Sequence, residues 1–587
     1  MRVRRILTCA LFAAGLGVSQ AFAGSGQVTL IHTGDFHGHL IPRPNLRSDA
    51  QGDSVEGGLA RIYTVIKDIR KQDPKALLIH TGDTIQGSAE VLYTRGQAIV
   101  DILNTFKIDA FAPGNWEFVY GTQRFLDLFA DDRPVAPWNA IAANVHYATR
   151  AQDASSPYAD KAGQRVLPPY VIRYVGGVKV GILGLTTDRG PQVVGSSVTK
   201  GFYFMKNGTE VDAVVAQLVK ELREVHKVDV LVMASEMGLA NNIRLAEKIA
   251  GIDVVMSSDM HEETLEPVIT AGGTLIIEEG QDGTRLGRIT LTVKDGKVAK
   301  WAWKGYDITD KIKADDKVAA LVKKARASFV AGKQFTAHVN PFNGSKLKRP
   351  IDMVVGQTKV GLHRSNFTHE AMPAVIEGSA HDFLTDAFKA QTGADIGAIR
   401  GFRYGTHVRP GPILMEDLYH FMPIGAQIAK GSIKGQALKM QIEGAVNGSM
   451  APEVVDWTGG WLFNFSGVTM DLDPYAARGQ RASNVKVGGQ TLDPAKDYSY
   501  ASYWYGADPG FINVLPAANI VVLKDTDGSA LDGTEVVVRY LESLPGKTAD
   551  VQLNRISLKN TATGAAIQMP PYRFGFPEVQ PLRGAKP

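Results

Sequence analysis

The hexapeptide Leu-Ile-His-Thr-Gly-Asp occurs twice, at residues 30–35 and 78–83. Each copy sets an apolar pair before a glycine and a carboxylate, the pattern of a short buried strand that delivers an Asp where it gives way to a loop. Two carboxylates at two strand ends suggest a metal site, since each has two oxygens to share between ions. His37, two residues after Asp35, places an imidazole where it can turn toward the same ion. Asn115, in Gly114-Asn115-Trp116-Glu117, offers a neutral amide oxygen, and Glu236, Asp259 and His261 follow two later apolar runs. Any one of these is a common turn or cap residue for backbone reasons alone. Only their combination points to chemistry.

Positioning these groups requires alternating strands and helices. Apolar runs predict strands at 28–33, 76–81, 178–186, 228–234, 253–257 and 274–278, and helical spacing at 59–70, 211–226 and 243–249. This is a layered α/β arrangement. Apolar Val318, Leu321, Val322 and Phe329 predict an amphipathic helix leading out of it within 310–332. A polar segment with Pro341, Asn343, Gly344 and Pro350 reads as the connector, giving domains at 24–310 and 351–560 joined through 311–350. The second mixes helices at 381–392 and 434–445 with Gly-rich strand-and-turn sequence, and the prolines at 570, 571, 577, 581 and 587 predict an extended tail over 561–587.

At 587 residues, two cores are the natural expectation. Arg2, Arg4 and Arg5 before an apolar run to Val18, with Ala21-Phe22-Ala23 closing it, read as a cleavable export signal over 1–23. The run is shorter than the roughly 20 residues a bilayer span needs, so no stable membrane anchor is expected. Cys9, the only cysteine, lies inside it. A mature chain without thiols suits the periplasm and excludes thiolate metal sites and cysteine nucleophiles. Without the three leader arginines, 61 basic residues face 60 acidic ones. Their even scatter excludes a nucleic-acid polymer as partner.

The order Asp-x-His, Gly-Asp, Gly-Asn-x-Glu and a late x-His resembles the calcineurin-like binuclear metallophosphoesterases, particularly the exported 5′-nucleotidases. Gly57-Gly58-Leu59-Ala60-Arg61 and Gly280-Gln281-Asp282-Gly283 extend the likeness. The resemblance implies an α/β fold: a four-layer calcineurin-like β-sandwich with flanking helices, then an α/β C-terminal 5′-nucleotidase domain. It also implies two divalent ions. Asp35, His37, Asp83 and His261 would hold one, and Asp83, Asn115, Glu236 and Asp259 the other, with a hydroxide between them attacking a phosphate ester in line with its leaving group.

The departures from that family shape the expected chemistry. Trp116 stands where the family has a catalytic histidine, and Val119 where it has the Asp that orients it. An indole N–H donates one hydrogen bond but carries no charge. Glu236 and Asp259 replace two further histidines, so four carboxylates would cancel the charge of two divalent ions. An all-oxygen second position favours Mn²⁺ or Mg²⁺ over Zn²⁺, and a one-metal site is the alternative. In the second domain, Phe402, Arg403, Trp504 and Asp508 match the family's substrate-binding region, with Arg400 and Arg409 as other candidates for an anion and Ile424 in place of a stacking Phe. Residues 116–121 are also similar to the thiosulfohydrolase branch of the superfamily, which frees sulfate from a carrier protein. The expected activity is therefore periplasmic hydrolysis of a small phosphate ester such as a nucleotide, with Asn115 and Trp116 at the reacting centre. The alternatives are sulfate release from a carrier-bound thiosulfonate, or a non-catalytic binding protein.

Overall fold

The computed structural model describes residues 24–44, 55–362, 377–400, 407–449, 451, 462–473 and 475–566. Residues 1–23, expected to be an export signal, Phe402, Arg403 and the residues after 566 lie outside them.

The two copies of the hexapeptide form adjacent parallel strands, Gly26–Gly34 and Leu77–Thr81. They pair one residue out of step, Leu30 facing Leu77 and Thr33 facing His80. That stagger lets the repeated His and Thr bond to each other: His32 Nε2 lies 2.9 Å from Thr81 Oγ1, and Thr33 Oγ1 lies 3.0 Å from His80 Nδ1. Burial pushes both imidazoles down to about 3, so they are neutral struts of the sheet.

This sheet runs in the order Lys297–Asp307, Arg285–Lys294, Gly26–Gly34, Leu77–Thr81, Ala110–Ala112. A second, six-stranded sheet faces it, in the order Val268–Ile269, Leu275–Glu278, Val254–Ser257, Val230–Ser235, Val178–Leu185, Tyr170–Val175. Every residue of Val230–Ser235 is buried, because both faces of a parallel strand are covered. Val28, Leu30 and Ile79 meet Val180, Val232 and Met256 between the sheets. Ile62, Ile66 and Ile69 of the helix Leu59–Gln72 cover one outer face, and Val215 and Leu218 of Glu210–Lys220 with Leu245 of Leu239–Lys248 cover the other. The result is helix, sheet, sheet, helix, as expected.

Several elements differ: the helix expected at 243–249 is Leu239–Lys248, and the strands Ala110–Ala112, Tyr170–Val175 and Val268–Ile269 are absent from the expected set. The helix expected to reach residue 226 loosens after Lys220 into a wider turn, Glu221–Val225. The hairpin Arg285–Lys294 and Lys297–Asp307 is absent from the expected strands, since its outer strand is mostly exposed and lacks an apolar run.

The helix Asp316–Arg326 does not lead away from the first half. Asp315 caps it by accepting from Lys317 and Val318 N–H and donates its own N–H to Ala60 O, while Val318 and Val322 are buried. In the second half a five-stranded sheet runs Phe463–Ser466, Ile396–Arg400, Asp497–Trp504, Gln427–Lys434, Ala518–Val522. Helices Ser379–Thr392 and Gly435–Ser449 pack on it. Among the described residues, no helix is long and apolar enough to cross a membrane.

Candidate metal centre

Each expected ligand sits just past the C-terminal end of a parallel strand. Asp35 follows Gly26–Gly34, Asp83 follows Leu77–Thr81, Glu236 follows Val230–Ser235 and Asp259 follows Val254–Ser257. Strand ends from both sheets therefore converge on one point. Asp35, His37, Asp83 and His261 offer ligand atoms all within 4.8 Å of one another, and so do Asp83, Glu236 and Asp259. Asp83 belongs to both groups, and every member is buried.

The first group is compact. His37 Nε2 lies 3.0 Å from His261 Nε2, and Asp35 Oδ1 lies 3.6 and 3.7 Å from the same two nitrogens. Gln86 Oε1, 3.2 Å from His37 Nδ1, orients that ring so that Nε2 faces the cluster. In the second group, Asn115 Nδ2 lies 3.1 Å from both Asp83 Oδ2 and Asp259 Oδ1. Asp35 Oδ1, Asn115 Oδ1 and Glu236 Oε2 are buried with no hydrogen-bond partner among the described residues. Orphaned buried oxygens beside converging imidazoles fit divalent cations, which would satisfy all of them at once.

The electrostatics agree. Burial pushes the Asp35, Asp83 and Glu236 carboxyls well above the usual carboxylate range, and neighbouring carboxylates add to it. Burial lowers His37. Cations here would reverse the first effect and hold the acids ionised.

Several supporting contacts are not indicated by local sequence. Glu117 accepts N–H bonds from Asp83 and Thr84 at 2.8 Å and from Gly114 at 2.7 Å, tying the second strand end to the Asn115 turn. Its place in Gly-Asn-Trp-Glu is the only signal for it. Trp116 N–H donates to Asp83 Oδ1 at 2.9 Å, and Asp259 N–H to Asp35 Oδ2 at 3.2 Å. Ser258 Oγ donates to Glu236. Arg189, which no motif marks, donates through Nη2 to Asp259 Oδ2 at 2.6 Å.

Trp116 is nearly buried and helps line a cleft of about 430 Å³ between the two halves. Trp504 and Asp508 line the same cleft from the second half, with Arg400, Ile424 and Tyr505. The expected substrate-binding residues that can be described are thus brought to one cavity whose wall includes a neighbour of the metal group. Arg409 does not line it.

Such a site, at the strand ends of a four-layer sandwich, defines a metal-binding hydrolase fold joined to a second α/β half. Residues 28–263 match the calcineurin-like phosphoesterase family, and residues 354–518 match the 5′-nucleotidase C-terminal domain, together well over half the chain. The chain belongs to this family of metallophosphoesterases with a 5′-nucleotidase C-terminal domain, and is a metal-dependent hydrolase. A snake venom 5′-nucleotidase from Naja atra is 24% identical over 489 residues, covering 79% of this chain and 85% of its own. The structure is similar to a sulfate thiohydrolase, SoxB, from Thermus thermophilus (TM-score 0.73, 20% identity, 92% of this chain and 98% of that one). It is about as similar to a 5′-nucleotidase precursor from the same organism (TM-score 0.72, 21% identity, 91% and 99%). At that identity the two likenesses establish the fold and do not choose between activities.

Proposed function

We propose that this protein is a periplasmic phosphoesterase that hydrolyses a small phosphate ester such as a nucleotide, using two divalent ions. The observation that carries this reading is the sharing of Asp83 by two ligand groups next to a cleft whose wall carries Trp116, Trp504, Asp508 and Arg400. When bound, divalent ions supply an acidified water and positive charge for the reacting group. The oxygen-only set of Asp83, Asn115, Glu236 and Asp259 favours Mn²⁺ or Mg²⁺. Trp116 anchors Asp83 through its backbone N–H and forms part of the cleft wall. Arg400 is placed to hold an anion in the cleft, and Trp504 and Tyr505 offer apolar surface for a base. The arginine-led apolar segment at the N-terminus supports export.

Metal analysis of the purified protein beside a phosphatase panel tests this. Two ions per chain are expected, with nucleotide hydrolysis that needs added metal and vanishes in Asp83→Ala. A metal-free chain inert toward every ester would overturn it. The turn at residues 116–121, with tryptophan in the usual histidine position, favours a second reading as a thiosulfohydrolase. Sulfate release from a thiosulfonated carrier without nucleotide hydrolysis would decide for that one.

A further inference from the structure

Arg189 stands four residues beyond the strand Val178–Leu185 and directly before the turn Gly190–Val194. Gln192, Val193 and Val194 of that turn line the cleft with Trp116. One nitrogen of the guanidinium, Nη2, is held on Asp259 Oδ2 at 2.6 Å, and Nε lies 3.9 Å from Asp188 Oδ1. Nη1 has no hydrogen-bond acceptor among the described residues. The Arg189 side chain is 25% exposed, whereas that of Asp259 is 4% exposed. It therefore holds the buried cluster through Nη2 while Nη1 stays without an acceptor among the described residues, beside the turn that lines the cleft, and a planar fork of five N–H donors can bind two anions in this way.

Charge balance gives Nη1 a purpose. Asp35, Asp83, Glu236 and Asp259 carry four negative charges when ionised, which two divalent ions only neutralise. Arg189 restores one positive charge, on the carboxylate that forms the outer part of the second group. Trp116, in the neighbouring turn, provides no charge of its own. The turn Gly190–Val194 packs against Trp116–Phe118, so both residues belong to the same side of the site.

We propose that Arg189 is an oxyanion-binding residue: held on Asp259, its guanidinium donates to an oxygen of the phosphoryl group and supplies the positive charge that Trp116 lacks. The inference rests on the metallohydrolase reading above. The test uses the full chain with Mn²⁺ and inorganic phosphate as the probe, measuring bound metal by equilibrium dialysis and phosphate affinity by calorimetry. Arg189→Met should keep both ions and weaken phosphate about tenfold or more, the loss expected for one charge-assisted hydrogen bond. Arg189→Lys, which keeps the charge but not the fork, should fall between. Unchanged phosphate affinity in Arg189→Met with both ions bound would overturn the proposal. So would loss of an ion whose replacement by saturating Mn²⁺ restores phosphate binding, because Arg189 would then only position Asp259. A wild-type chain that takes up no ion, yet binds phosphate more tightly than Arg189→Met, would overturn the metallohydrolase reading and leave this one standing.

Discussion

Asp35, His37, Asp83, Asp259 and His261 all adopt positive φ, at 48°, 43°, 51°, 95° and 63°. A side chain there costs roughly 1–3 kcal/mol per residue, and such strain persists only where neighbours over-determine it. The neighbours are identifiable. Asp35 N–H donates to Gly82 O at 3.0 Å and His37 N–H to Asp83 O at 2.8 Å, so the two ligand loops brace each other. Glu117 completes the brace through its three N–H bonds. Glu117→Gln replaces one accepting oxygen with an amide that opposes those donors. It should weaken metal binding by about tenfold to a hundredfold, read by competition with a chelator. The raised carboxyl pKa values predict a pH dependence with a definite sign. Protons must leave Asp35, Asp83 and Glu236 for an ion to bind, so Mn²⁺ affinity should rise with pH and uptake should release protons. Calorimetry in buffers of different ionisation enthalpy reads that release, and a pH-independent affinity would contradict the ligand assignment.

At the scale of elements, the site depends on how closely strand ends can approach. A Cβ added at Gly114 would lie 2.6 Å from Glu236 Oε2 and 2.7 Å from Asp83 N, inside contact distance of both groups. Gly114→Ala should therefore displace Asp83 or Glu236, lowering metal content with little effect on secondary structure by circular dichroism. The sheet beneath the site carries its own titration. Burial pushes Glu279, at the end of Leu275–Glu278, up to about 8, only partly offset by Arg285 at 3.6 Å. A carboxyl that holds its proton more tightly when folded contributes stability that is complete below its unfolded pKa and is lost as pH rises through the folded value. Here the loss runs from about 4.5 to about 8. Glu279→Gln should raise stability by about 1–3 kcal/mol near pH ~9 and by almost nothing near pH ~4, measured by urea unfolding.

The two halves of the molecule share one apolar cluster, in which Phe106 and Leu92 of the first are continuous with Phe329 of the connector and with Tyr419 and Phe421 of the second. Polar links reinforce it close to the metal loops. Arg43 pairs with Glu416 at 2.8 Å and with Asp417, and Arg326 joins Glu416 to Glu90. His39, two residues past His37, stacks on His420 with ring centroids 4.3 Å apart, and Tyr93 and Tyr419 hydroxyls meet at 2.8 Å. Arg43→Met would leave the buried Asp417 without its guanidinium partner and Glu416 with Arg326 alone. It should cost about 3 kcal/mol or more and shift the urea midpoint down. Because the cleft is walled by both halves, the same variant should also raise KM for the ester more than it lowers kcat.

The strands, the buried helix faces and the ligand positions are readable in the chain because each follows from local pattern: apolar runs for strands, 3.6-residue spacing for helices, and Asp or Glu immediately after a run. Phe402 and Arg403 fall outside the described residues, so their expected place beside the substrate is not drawn from the fold. What local pattern cannot carry is distance between remote segments. The one-residue stagger of the repeat, the bracing by Glu117 and the pairing of Arg189 with Asp259, 70 residues away, arise only when two sheets bring their strand ends together. The chain by itself determined which carboxylates and imidazoles were available. Tertiary structure decided that Asp83 stands between the two groups, and that an arginine in no motif offsets their charge, because proximity in a sandwich is set by sheet packing rather than by sequence spacing.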